Sequence, residues 1–74
     1  MKEEIKALLA DALPMIDFDA EDLFEQLDSM SVITILTILS QKYSIPLDVT
    51  DATPKNLISL DALVNMVEAK IKQQ

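Results

Sequence analysis

The 74-residue sequence contains no cysteine, no histidine and no glycine. Without cysteine, the chain can form neither a disulfide nor a thiolate metal site. Without histidine, it lacks the side chain that proteins use most often as a general base and as a metal ligand. A serine–histidine–aspartate or cysteine–histidine nucleophile cannot be built from this chain alone. We therefore predict no catalytic residues and no metal site, and we expect that the protein is not an enzyme.

The absence of glycine also excludes glycine-rich phosphate-binding loops and disfavours tight type I′ hairpins. Aromatic residues are scarce, with two phenylalanines and one tyrosine. Half of the residues are nevertheless hydrophobic, so a core must be built from isoleucine, leucine, valine and methionine. This length is near the lower limit for a domain without disulfides or metals, and we expect one domain over residues 1–74.

Acidic residues dominate the first part of the chain. Residues 1–28 contain nine acidic residues and two lysines, which gives −7, whereas residues 29–74 contain four of each, which gives zero. The whole net charge of −7 therefore lies in the first third. Because a negative field repels phosphate backbones and anionic lipids, we expect neither nucleic acid nor a membrane as a partner. A partner with a basic patch is the natural complement.

The sequence shows no targeting or membrane segment. Its first five residues, Met-Lys-Glu-Glu-Ile, lack the apolar region of a signal peptide. The most hydrophobic stretch, residues 32–39, is far too short to span a bilayer. We expect a soluble, cytoplasmic, monomeric protein. Since no linker is recognisable, we expect a free-standing domain, and a domain excised from a longer chain is the alternative.

A predicted amphipathic helix precedes a predicted loop. Residues 2–13 place apolar side chains at helical spacing, and Pro14 ends this helix because the residue before a proline is disfavoured in the α region. Residues 15–28 show no clean period and carry six acidic residues and no basic one. We predict a long ordered loop there, anchored in the core by Phe18 and Phe24. A connection of this length in a small domain usually carries function.

The second predicted helix has a clear start. Asp28 is a strong N-cap residue, and its carboxylate suits the positive end of the helix dipole. Leu27 and Val32 occupy the two positions of a hydrophobic staple. The predicted buried stripe comprises Val32, Ile35, Leu36, Leu39 and Tyr43. A buried strand over residues 32–39 is the alternative, which we disfavour because the sequence offers no second strand of similar quality to pair with it.

Two further helices are predicted after Pro46. Thr53 is a suitable N-cap residue, and Pro54 follows it at the first helical position. This pair predicts a short turn of helix through Leu57. Ser59 predicts the N-cap of the last helix. Its predicted inward-facing residues are Leu60, Leu63, Val64, Val67 and Ile71. The sequence thus predicts an all-α fold of three main helices and one short helix.

A segment at the start of the second helix carries a family resemblance. Asp28, Ser29 and Met30 follow a long acidic loop, Tyr43 lies near the end of this helix, and residues 59–63 open the last helix. With these residues in this order, the sequence resembles the acyl carrier protein family over nearly the whole chain. An isolated Asp-Ser is a weak motif, so the match depends on length, helix order, acidity and the lack of histidine and cysteine. The resemblance implies an acyl-carrier-like four-helix bundle with a long first loop.

The resemblance also implies a function. Ser29 would receive 4′-phosphopantetheine from coenzyme A by the action of a phosphopantetheinyl transferase. The thiol of this arm would carry an acyl or aminoacyl thioester, loaded by a ligase and passed to a downstream transferase or synthase. Asp28 and Met30 would form the context of the site, with Asp28 helping the transferase to recognise it. A first-turn serine is exposed, and backbone N–H groups there suit an attached phosphate.

The sequence departs from the family pattern in two respects. Gln26 stands where members commonly have a glycine, two positions before the aspartate. The second helix also lacks the acidic residues that fatty-acid carriers typically present to partners. We therefore predict an uncharged partner-binding set: Met30, Ser31, Ile33, Thr34, Thr37 and Ile38. This set indicates a dedicated partner in a specialised pathway, such as an adenylating enzyme for an amino acid or unusual acid, and a merely solvated polar face is the alternative.

Two other functions fit parts of the sequence. A helical protein-interaction adaptor with a carrier-like fold would bind a basic partner and never take the arm. Asp17, Asp19 and Glu21 match the first three ligand positions of a calcium-binding EF-hand loop, but Asp22 stands where that loop requires glycine. We therefore predict no EF-hand, and prefer a solvated acidic surface to weak divalent-cation binding.

Overall fold

The computed structural model describes residues 1–73, which form three α-helices and two short 3₁₀-helices. Helix α1 spans Lys2–Ala12, α2 spans Ser29–Tyr43 and α3 spans Leu60–Lys72. The first 3₁₀-helix, Phe24–Gln26, precedes α2, and the second, Val49–Asp51, lies between α2 and α3. No strand occurs within residues 1–73, so the all-α prediction is confirmed and the alternative strand is wrong.

The three helices pack around one aliphatic core. Each helix contacts the other two, and residues from all three and from both connections contribute to the same cluster. The fully buried side chains are Ile5, Leu9, Leu23, Ile35, Leu39, Leu57, Leu63 and Val67. Burial of each such side chain contributes roughly 1.5–3 kcal/mol relative to leaving it exposed to water.

Helix α1 ends one residue before its predicted end. Leu13 leaves the helical conformation, with φ −130° and ψ 67°, because Pro14 follows it. Of the apolar residues at helical spacing in α1, Ile5 and Leu9 are buried, whereas Leu8 is half-buried and Ala12 is exposed. The side chain of Leu13 is buried beyond the helix end.

The loop between α1 and α2 is ordered, but one of its two predicted anchors is wrong. Phe18 is buried at 3% exposure, whereas Phe24 is 37% exposed. Leu23 takes the interior position, and its N–H donates to the carbonyl of Ile58 at 2.8 Å. The 3₁₀-helix starts immediately after Leu23, so its turn directs the neighbouring Phe24 to another side of the chain.

The short helix that was predicted from Pro54 through Leu57, with Thr53 as its N-cap, is a single turn. The N–H of Leu57 donates to the carbonyl of Thr53 at 3.1 Å, and the N–H of Asn56 donates to Oγ1 of Thr53 at 3.1 Å. Thr53 therefore caps this turn as predicted, but no helix follows. Ser59, the N-cap of α3, lies only two residues after Leu57, so this turn is not extended before α3 begins at Leu60. The described chain thus has three α-helices instead of the four-helix arrangement.

The inward faces of α2 and α3 are narrower than predicted. Ile35, Leu36 and Leu39 of α2 are buried, whereas Val32 and Tyr43 are half-buried. In α3 the predicted Val64 is half-buried, and Met66, which the predicted inward face did not include, is buried. Ile71 is 37% exposed because it lies in the last turn, beyond the core residues. None of the helices in the described part of the chain has the length and apolar character needed to cross a bilayer.

Candidate functional site

Asp28 caps the start of α2. Its backbone is extended, with φ −114° and ψ −178°, and its carboxylate Oδ1 accepts a hydrogen bond from the N–H of Ser31 at 2.8 Å. The carbonyl of Asp28 accepts the first intrahelical bond from the N–H of Val32 at 3.0 Å. This geometry confirms the predicted N-cap and makes Ser29 the first residue of the helix.

The cap also sets the charge of the site. The hydrogen bond from the backbone N–H of Ser31 lowers the pKa of the Asp28 carboxyl, and the Ser31 hydroxyl contributes in the same direction. A carboxylate that accepts N–H donors at a helix start is favoured in its charged form. Asp28 is therefore negatively charged at neutral pH.

Ser29 lies exposed in the first turn of α2. Its hydroxyl forms no hydrogen bond with any of residues 1–73, in contrast to the side chains of Thr34 and Ser40 on the same helix. Backbone N–H groups of a first helical turn have no partner within the helix. Because the Asp28 carboxylate already accepts the N–H of Ser31, a phosphate attached to the Ser29 hydroxyl would be stabilised mainly by the positive end of the α2 dipole.

An apolar cavity of about 380 Å³ opens directly beside Ser29. Asp28 and Ser29 form part of its rim, and Phe24, Val32 and Val49 are among its apolar walls. These walls come from the first 3₁₀-helix, from α2 and from the second 3₁₀-helix. The hydroxyl of Ser29 thus combines a polar attachment point with an adjacent apolar surface.

A second cavity of about 420 Å³ continues along α2. Its lining includes Thr37, Ser40 and Gln41 of α2, so it is more polar than the first cavity. Ile33 and Val49 line both cavities. The two cavities therefore adjoin, and they run from the start of α2 toward its C-terminal half.

The predicted partner-binding residues divide into two groups. Met30, Ile33 and Thr37 are exposed, with Met30 at 70% and Ile33 at 52%. The other three, Ser31, Thr34 and Ile38, are half-buried. Ile38 packs against the core, and Oγ1 of Thr34 donates to the carbonyl of Met30 at 2.9 Å. The exposed group is the part of the set that a partner can contact directly.

Phe24 and Val49 border the site, although the sequence did not identify them as site residues. Val49 lies on the second 3₁₀-helix, which Asp48 and Asp51 close with a reciprocal capping box. Two acidic residues three positions apart are a recognisable signal for such a cap, so this turn could be predicted from the sequence. The position of the turn beside α2 could not be predicted, because it depends on tertiary packing.

The acidic loop carboxylates mainly serve local structure. Asp17 accepts the N–H of Asp19 at 3.0 Å, and Asp22 accepts the N–H of Glu25 at 3.2 Å. Asp19 also forms an ion pair with Lys6 of α1. Within residues 1–73, no three acidic side chains are grouped in a way that could hold a metal ion.

No protein family, curated protein or solved structure matches this chain. The chemistry of the site at the start of α2 is therefore the basis for assigning a function.

Proposed function

We propose that this chain is a carrier protein whose Ser29 takes a 4′-phosphopantetheine arm. The observation that carries the proposal is the exposed, unpaired hydroxyl of Ser29 in the first turn of a capped helix, beside an apolar cavity. The thiol of the arm would carry an acyl or aminoacyl thioester between partner enzymes. The polypeptide lacks cysteine, so the arm supplies the group that holds the cargo.

The residues around Ser29 suit such an arm. The phosphate would be esterified to Oγ of Ser29 and would lie at the positive end of the α2 dipole. The less polar part of the arm would find apolar contacts on Val32 and Val49 of the adjacent cavity. Asp28 stabilises the first turn of α2 through the hydrogen bond that its carboxylate accepts from the N–H of Ser31. The same carboxylate would be available for recognition by the transferase.

In this role the chain is a substrate and shuttle for other proteins, not an enzyme. A phosphopantetheinyl transferase would install the arm, a ligase would load the cargo, and a transferase or synthase would receive it. An acyl-carrier-type bundle, a cytoplasmic location and a monomeric state belong to the same proposal. The long acidic loop before α2 and the three helices around one core support the fold assignment.

The surface next to Ser29 favours an uncharged docking partner. Met30, Ile33 and Thr37 are exposed, and no residue of α2 before Lys42 is charged. A partner that binds this face of α2 would need apolar groups and neutral hydrogen-bonding groups instead of a basic patch. This feature supports a specialised pathway with a dedicated loading enzyme.

An intact-mass experiment tests the proposal. The protein is incubated with coenzyme A, Mg²⁺ and a broad-specificity phosphopantetheinyl transferase, beside the variants Ser29→Ala and Ser59→Ala. Ser59 is the N-cap of α3, so its replacement removes a serine from another helix start. We expect one phosphopantetheine increment on the natural chain and on Ser59→Ala, and none on Ser29→Ala.

A protein-interaction adaptor is the second candidate. The observation that favours it is the acidity of residues 1–28, which hold the whole net charge of the chain and would attract a basic partner. An adaptor would remain unmodified by a competent transferase and would lose no function on replacement of Ser29. The same mass measurement therefore separates the two candidates.

A further inference from the structure

An ion pair ties the second 3₁₀-helix to α3. Nζ of Lys70 lies 2.9 Å from Oδ1 of Asp51, and the two side chains are 25% and 16% exposed. The partners in the other two ion pairs of residues 1–73 are all at least 43% exposed. Since water and salt screen exposed charges more strongly, we expect the Asp51–Lys70 pair to be the strongest of the three.

The second oxygen of Asp51 fixes the backbone of its own segment. Oδ2 of Asp51 accepts a hydrogen bond from the N–H of Asp48 at 3.0 Å. Oδ1 of Asp48 accepts the N–H of Thr50 at 2.8 Å, and the carbonyl of Asp51 accepts Nδ2 of Asn56 at 2.9 Å. One carboxylate therefore joins the fold of this segment to the last turns of α3.

The same segment supplies the wall that the two cavities share. Val49 lines both of them, yet 72% of its surface is exposed. Within residues 48–51, Asp48, Val49 and Thr50 are exposed, and Asp51 alone is half-buried. Leu47 and Ala52, on either side of this segment, pack against the core, and the contacts of Asp51 hold the segment between them.

We propose that Asp51 and Lys70 are positioning residues that hold Val49 beside α2 and so define the groove next to Ser29. Without the ion pair, the capping box still shapes the turn, but the turn loses its tie to α3 and moves more freely.

Amide hydrogen exchange of the unmodified protein tests the positioning role. Lys70→Gln removes one charge of the pair, and Asp51→Asn removes the other while keeping an oxygen for the N–H of Asp48. We expect the amides of Thr50, Asp51 and Ala52 to exchange at least about threefold faster in both variants. The double variant should exchange no faster than either single variant, because both changes break the same contact.

Lys2→Gln is the matched control, since it makes the same charge change in the exposed Lys2–Asp61 pair. Its exchange in residues 50–52 should equal that of the natural chain. Unchanged exchange in both Lys70→Gln and Asp51→Asn would overturn the proposal. Because this measurement uses the protein without an arm, its outcome does not depend on whether Ser29 is modified.

Discussion

The acidic side chains of residues 1–28 and the exposed face of α2 both lie at the surface, but the two regions differ in chemistry. The first region carries nine carboxylates and two lysines, whereas residues 29–41 carry no charge. Several of these carboxylates stabilise the local backbone structure. Asp17, Asp22 and Asp28 each accept a backbone N–H two or three residues further on. Aspartate thus shapes turns and caps in a chain that has no glycine.

The uncharged face of α2 has no comparable structural role. Met30 and Ile33 are more than half exposed, and Thr37 lines the second cavity without a hydrogen bond to another described residue. Met30 and Ile33 lie three residues apart and so are neighbours on the helix surface, and adjoining exposed apolar residues are typical of contact surfaces. The difference between the two regions suggests that the acidic one serves folding and solubility and the neutral one serves contact with partners.

The largest expected effect is a loss of stability on replacement of a buried isoleucine of α2, compared with an exposed one. Ile35 is fully buried and Ile33 is 52% exposed, although they are only two residues apart. We expect Ile35→Ala to lower the free energy of unfolding by about 2–5 kcal/mol, because it leaves a cavity in the core. Ile33→Ala should change it by no more than about 0.5–1 kcal/mol. Urea unfolding measures both, and equal losses would show that Ile33 serves the fold and not an interface.

An intermediate effect is expected from adding charge to the neutral face. Thr37→Glu places a carboxylate on the exposed side of α2, and Ala7→Glu places the same charge on an exposed position of α1. We expect Thr37→Glu to slow arm transfer by roughly tenfold, which corresponds to about 1.4 kcal/mol of lost contact. Ala7→Glu should leave the rate unchanged. Equal rates for both variants would remove the neutral face from recognition by the transferase.

The smallest effect concerns the cap between the two regions. Hydrogen bonding to Ser31 lowers the pKa of Asp28, so the ionised carboxylate stabilises the folded state above its ordinary pKa of about 3.9. This stabilisation is lost as pH falls through the lower folded-state pKa. Asp28→Asn keeps a capping oxygen but does not titrate. The natural chain should therefore be more stable than Asp28→Asn at pH 7, and this advantage should vanish in acid.

Urea unfolding of both proteins between neutral pH and about pH 2 measures this change. Asp28→Ala is the control, since it removes the capping oxygen at every pH and should be the least stable of the three at pH 7. A stability difference between the natural chain and Asp28→Asn that stays constant with pH would contradict the assigned role of the carboxylate.

Much of the fold was predictable because its signals are local. Asp28 and Ser59 mark helix starts through side-chain caps, and the structure has both caps, at 2.8 Å and 3.1 Å. Pro14 marks a helix end for a steric reason that holds in any context. The buried residues of α1 follow directly from helical spacing.

The remaining features depend on contacts between distant residues. Only tertiary packing decides that Leu23 enters the core and Phe24 does not, since both are apolar neighbours in an irregular segment. The Asp51–Lys70 ion pair joins positions 19 residues apart in sequence and has no local pattern. The left-handed conformation of Ser44 after α2, at φ 54°, was also not predictable, because glycine is the residue expected there.

The central claim is that the hydroxyl of Ser29 is the attachment point, and fragmentation of the modified protein tests it most directly. The chain is treated with coenzyme A and a transferase that modifies an established carrier protein in a parallel reaction. The fragment masses should place a single phosphopantetheine on Ser29 and leave Ser31, two residues away, unmodified. An unmodified chain beside a fully modified control, or an arm on another residue, would contradict the account.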